Sequence, residues 1–235
     1  LYTNDRKPTL SITAESGAAV YVYNGTRYLG QAVETDPSNA PGEYTFTPTF
    51  SLAEGTYNFV ARAVDAAGNV GDASALRQVI IDFTAPFKPT VGSQITSLAD
   101  PLVQGTAVLR VGDVLAVTVD GNTYSARVTA LPSQGNPQGT VDYDQAAGLL
   151  SVDLETNTWA LLALTNMGPG VYPVSVVVTD RAGNVNADAT TDELVISDVL
   201  PEVVSFSTTT PSGASSATSS GVASTPVRIS TPARP

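Results

Sequence analysis

The chain has 235 residues, 42% of them hydrophobic, with 19 Gly and 16 Pro, which suits two ordinary domains that each build a core. It contains neither Cys nor His, and this excludes thiol nucleophiles, Ser-His-Asp triads, disulfides, zinc sites of the usual ligands and a haem-bearing histidine. Eleven basic residues against 22 acidic ones leave a net charge of -11, so cations are the natural counterparts and neither nucleic acid nor membrane insertion is expected.

In chain order, the first clear element is Val20-Tyr-Val-Tyr23, an alternating run that ends at Asn24-Gly25. That dipeptide accepts positive φ at both central positions of a tight hairpin. Next, Tyr57, Phe59, Ala61 and Ala63 alternate with Asn58, Val60, Arg62 and Val64, the period of two that turns one set toward a core. A turn follows at Asp65-Ala-Ala-Gly-Asn69. Val117-Thr-Val119 then leads into a second hairpin signal at Asp120-Gly121, and the Gly- and Pro-rich stretch from Leu131 to Gly139 reads as a loop. Tyr172, Val174, Val176 and Val178 form another alternating strand that runs into Asp180-Arg-Ala-Gly-Asn184. No segment carries a capped 3.6-residue period. The longest apolar run, Trp159 to Leu164, is far short of the ~18 to 20 residues of a membrane helix.

These elements form an internal repeat. Glu54 to Val70 aligns with Pro169 to Val185 at one offset of 115 residues, which also pairs Tyr44 with Trp159, Ile81 with Ile196 and Pro86 with Pro201. The two hairpin signals stand only 96 apart, so the second copy carries 19 extra residues before Trp159. The fold expected is all-β: two tandem Ig-like β-sandwich domains, residues 1–86 and 87–201, followed by a Ser/Thr/Pro-rich tail at 202–235. The tail is expected to be extended or disordered, to open a further domain, or to serve as a donor strand. In each copy a Gly-x-Tyr pattern sets Tyr57 or Tyr172 two residues before an apolar core position, Phe59 or Val174, where a tyrosine closes a sandwich corner with its hydroxyl.

Asp65-Ala-Ala-Gly-Asn69 followed by Ile81-Asp-Phe-Thr-Ala-Pro86, with Ser11-Ile-Thr-Ala-Glu-Ser-Gly17 upstream, resembles the bacterial Ig-like repeats of large RTX-type adhesins and related surface proteins. The second copy, from Gly105-Thr-Ala107 through Asp180-Arg-Ala-Gly-Asn184 to Asp192-Glu-Leu-Val-Ile196, resembles a longer variant of the same family. The likeness spans residues 4 to 201. It departs at Ile12, where the family usually has Gly, and at Ile196 to Pro201, which lacks the Thr-Ala of the linker. It implies an extracellular place on the bacterial surface, partnership with neighbouring repeats of the same chain, and calcium between domains. The chain starts at Leu1 without an export signal and reads as a segment of something longer.

The Asp-x-x-Gly-Asn turns are the sharpest polar motif. They read either as Asx turns closed on their own backbone or as oxygen donors to Ca²⁺. In the second reading the ligands are Asp65, Asn69, Asp180 and Asn184, with Asp82 and Asp198 at the linkers. Asp142-Tyr-Asp144 and Asp153-Leu-Glu155 read as solvated β edges rather than a catalytic carboxylate pair. Asn24-Gly-Thr26 reads as a hairpin rather than a glycan acceptor, and Trp159 as core. The expected function is a structural spacer in a surface protein, not an enzyme. One alternative is a filament subunit in which identical chains join by β-strand addition through the segment after Pro201. Another is a carbohydrate-binding module.

Overall fold

The computed structural model describes residues 1–144, 149–162, 164 and 166–198, and the tail expected at 202–235 lies outside them. Every regular element described is a strand. The first eight are β1 (Tyr2–Thr3), β2 (Leu10–Thr13), β3 (Ala19–Asn24), β4 (Arg27–Gln31), β5 (Val33–Asp36), β6 (Ala40–Phe46), β7 (Gly55–Val64) and β8 (Arg77–Ile81). They form one sheet in the order β1-β8-β7-β3-β4 and a facing sheet β2-β6-β5. The alternation seen in the sequence sets the packing. Val20, Val22 and Phe59 point inward with Tyr44, Phe46, Val79 and Ile81 to make a continuous core.

The remaining twelve strands are β9 (Thr90–Val91), β10 (Gln94–Thr96), β11 (Val103–Thr106), β12 (Val114–Val119), β13 (Asn122–Ala130), β14 (Thr140–Tyr143), β15 (Leu150–Asp153), β16 (Thr158–Leu161), β17 (Gly170–Tyr172), β18 (Val174–Thr179), β19 (Val185–Ala187) and β20 (Leu194–Ile196). Their sheets run β14-β13-β12-β18-β19, β10-β20-β17 and β15-β16-β11-β9. Trp159, 2% exposed, lies in their shared core among Leu115, Val117, Leu161, Val176 and Leu194. Its indole Nε1 donates to the Thr90 carbonyl at 3.2 Å.

The two copies differ where the sequence differs, for identifiable reasons. Strand β7 runs unbroken beside both β8 and β3, but its counterpart is divided into β17 and β18 at Pro173, the position of Asn58, because proline has no N–H for the ladder. The inserted residues lengthen β13 and add β14 at its edge, and the loop expected at Leu131 to Gly139 is the connection between those two strands. Gly105 explains the departure at Ile12. A Cβ there would overlap the Thr90 carbonyl and the Trp159 ring, because β9 lies directly against β11. At the corresponding place in the first sandwich, Ile12 pairs with Tyr44 and packs its own side chain onto the core.

One hairpin differs from expectation. Asp120 and Gly121 both have positive φ, 49° and 75°, as the dipeptide suggested. In the first hairpin the strand includes Asn24, so the loop is Gly25-Thr26, and only Gly25 takes positive φ, at 59°. Asn24 is held in the strand because its Oδ1 accepts the Asn58 N–H at 2.8 Å.

Candidate functional site

Both Asp-x-x-Gly-Asn turns close on themselves. Asp65 Oδ1 accepts the N–H groups of Ala67 (2.9 Å) and Asn69 (2.8 Å), and Oδ2 accepts Asn69 Nδ2 (2.7 Å). Asp180 repeats the arrangement with Ala182, Asn184 and Asn184 Nδ2 at 2.8, 2.9 and 2.8 Å. Gly68 and Gly183 supply the required left-handed residue, at φ 88° and 93°. The bonds from Asn69 hold the Asp65 carboxyl below its ordinary range.

Sheet register decides where the six candidate residues lie. Ile81 pairs with Gly55 at the start of β7, whereas Asp65 follows its end, so Asp82 and Asp65 stand about 30 Å apart at opposite ends of the first sandwich. In the second sandwich Ile196 pairs with Gly170, so Asp198 likewise lies at the end opposite Asp180. The chain brings together Asp82, Asp180 and Asn184. It leaves Asp65 and Asn69 at one extremity and the exposed Asp198 at the other.

Where Asp82 and Asp180 meet, the second turn reaches across to the first sandwich. Asn184 Nδ2, already bound to Asp180, also donates to the Asp82 carbonyl at 2.9 Å, and Asn4 N–H donates to the Ala182 carbonyl at 3.1 Å. The Arg181 guanidinium carbon stands 4.0 Å from the Tyr2 ring centroid. The arginine stem lies on Gly112 (φ 93°), where any Cβ would overlap it. Arg110 faces Phe87 at 5.4 Å and Arg6 faces Phe83 at 4.6 Å. Three of the chain's few cations therefore sit on aromatic rings around one linker.

The linker is held from both sides. Glu54 of the first sandwich accepts the Phe83 N–H (2.8 Å) and the Thr84 hydroxyl (2.7 Å), which keeps its carboxyl below the usual range. From the second, Asn186 Nδ2 donates to the Pro86 carbonyl at 3.0 Å, and Asp188 accepts the Val91 N–H at 2.8 Å and stands 3.9 Å from the Lys88 ammonium. These contacts leave a cavity of about 300 Å³ whose lining includes Asp82, Asp113, Asp180, Arg110 and Arg181. Asp113 is 3% exposed, and its Oδ2 accepts the Arg110 N–H at 2.8 Å. Burial pushes its carboxyl above the usual range, and the charges of Asp180 and Asp82 add to the rise.

The donors of this cavity are hard oxygens, the kind that calcium takes. Two guanidinium groups share the space. Both Asp180 oxygens already accept N–H groups, and among the described residues no three acidic side chains come close enough to hold an ion. Arg181, Arg110, Gly112, Asp113 and Tyr2 were absent from the sequence-based candidates. Their signal was a difference between copies: Arg181 replaces Ala66 within otherwise matching turns, and the strand registers make Asp113 the counterpart of Ala18 in the first copy.

The other expected sites resolve simply. Asp144 accepts the Ser125 hydroxyl, and Asp153 caps its own turn through the N–H groups of Glu155 and Thr156. The corner tyrosines donate to carbonyls four residues upstream, Tyr57 to Ala53 (3.1 Å) and Tyr172 to Gly168 (3.0 Å).

Among solved structures the chain is similar to a marsupial T cell receptor, at 11% identity over 83% of this chain and 70% of that one, with a TM-score of 0.44. It is also similar to a tetra-tandem repeat in the extending region of a large adhesion protein, at 17% identity, 79% and 45% coverage and a TM-score of 0.29. A third likeness is to SGBP-B of the Bacteroides ovatus mixed-linkage glucan utilization locus, at 15% identity, 84% and 43% coverage and a TM-score of 0.25. The chain thus spans less than half of the latter two. No curated protein matches it in sequence. Two family models, each described as a bacterial Ig-like domain, match residues 1–83 and 109–196. The chain therefore belongs to the bacterial Ig-like domain family and carries two such domains in tandem.

Proposed function

We infer that the chain is a non-catalytic spacer of a bacterial surface protein, in which two sandwiches are locked end to end so that they carry a more distal element outward. The observation that supports this reading is the junction. Side chains of the second domain, Arg181, Asn184 and Asn186, bind the ring of Tyr2 and the carbonyls of Asp82 and Pro86, so bending would break several contacts at once. Family membership supports the surface location, and among the described residues no helix is long and apolar enough to cross a membrane. Calcium enters as the variable to be tested. Arginine–aromatic and side-chain-to-carbonyl contacts close the junction in this reading, and the cavity carboxylates would be the place for a cation to act on it.

The test is to display the chain between a surface anchor and a fluorescent reporter and to measure the reporter's height above the cell. A spacer holds it at one narrow height that increases by a fixed step when the pair is duplicated. A broad distribution, or a height indifferent to duplication, would overturn the reading.

A further inference from the structure

The outward face of the β1-β8-β7-β3-β4 sheet carries a feature that a spacer does not need. Tyr21 and Tyr23 are two residues apart on β3, so both project to the same side, opposite the buried Val20 and Val22. The β3–β4 register sets Tyr28 directly beside Tyr23, and Tyr28 is 53% exposed. Its ring lies 6.1 Å from that of Tyr21 and 5.6 Å from that of Tyr23, tilted by 58° and 60°. The β3–β7 register places the exposed Arg62 on one side of Tyr21, and the β3–β4 register places the exposed Gln31 on the other. Asn58 and Gln78 face each other further along the sheet.

Hairpin stability does not require these rings. The second domain builds the same hairpin with Ala116, Thr118, Thr123 and Ser125 at the corresponding outward positions, and its next strand presents Val177 and Ser175 where the first domain has Arg62 and Val60. We propose that the tyrosine face of the first domain is a binding site for neutral polysaccharide. The pyranose ring presents axial C–H groups that lie on an aromatic face, while planar amides and a guanidinium pair with ring hydroxyls. These positions carry no carboxylate to hold a cationic ligand, and the chain's net charge of -11 repels an anionic one, which leaves an uncharged ligand favoured. Size separates a glycan from a protein partner. A protein interface takes about 800 Å² and some 20 to 30 residues on each side, whereas three rings and four planar polar groups match two or three sugar rings. The proposal stands independently of the spacer reading.

Native affinity gels of the whole chain, cast with hydroxyethyl cellulose, mixed-linkage β-glucan, xylan or mannan, and with alginate as a polyanionic control, provide the test. At least one neutral polysaccharide should retard the protein and alginate should not. Tyr21→Ala and Tyr28→Ala should each weaken retardation roughly two- to tenfold, with Tyr57→Phe unchanged. If either alanine variant melts early, Tyr28→Ser at the same exposed position must lose retardation while keeping the wild-type melt. Absence of retardation by every neutral polysaccharide, retention by alginate alone, undiminished retention in Tyr21→Ala/Tyr28→Ala, or a protein partner bound at this face without any glycan would each overturn it.

Discussion

At Asp113, burial and the neighbouring Asp180 and Asp82 charges act in the same direction, raising the folded-state pKa above that of the unfolded chain. Stability from this group is therefore complete below the ordinary carboxylate range and is lost as pH rises through the raised folded value. Asp113→Asn keeps an acceptor for the Arg110 N–H and removes the charge, so it should melt above wild type at pH 7, with the gap closing near pH 3.5. Equal shifts at both pH values would contradict this. Asp65 has the opposite sign. Its lowered carboxyl stabilises above the unfolded value and loses that effect as pH falls, so Asp65→Ala should be most harmful at neutral pH. The corner hydroxyls are simpler: Tyr57→Phe and Tyr172→Phe each remove one bond, and about 0.5 to 1.5 kcal/mol should be lost in denaturant titrations.

Among the elements, β9 shows most clearly how one residue admits a whole strand. It lies against β11 only because Gly105 has no side chain, and its Thr90 carbonyl then accepts the Trp159 indole. Gly105→Ala should displace β9, expose Trp159 and destabilise the second domain by about 1 to 3 kcal/mol, read as a fall in melting temperature with a red shift of the single tryptophan's fluorescence. An unshifted spectrum would mean that β9 is not held there. Pro173 works in the opposite direction, dividing a strand that its counterpart keeps whole, so the second domain has a five-stranded and a three-stranded sheet where the first has one five-stranded sheet.

For the whole molecule, the junction is what distinguishes a stiff pair from two beads on a string. Arg181→Ala removes the cation over Tyr2 and its stem from Gly112, so scattering should report a wider range of interdomain arrangements, while each domain melts as before. If those contacts alone hold the junction, 1 mM calcium and excess chelator should give superimposable scattering curves and melts. A shift that appears with calcium and vanishes in Asp82→Asn would instead place the ion in the cavity.

Period-two alternation, the repeat and the Asp-x-x-Gly-Asn turns were legible in the sequence because each depends on residues near one another along the chain. The β-sandwich architecture, the corner tyrosines and the self-closing turns all follow from such local rules. Which turn meets which linker was not legible. Asp65 and Asp82 are 17 positions apart in sequence but lie at opposite ends of β7, while Asp82 and Asp180, nearly a hundred residues apart, share a cavity. The same holds for the tyrosine face, where Tyr21 and Tyr23 are neighbours by alternation but Tyr28 and Arg62 join them only through strand register. Local chemistry sets how a strand or turn closes; only cross-strand pairing and the docking of one domain on the next decide which closed pieces face each other.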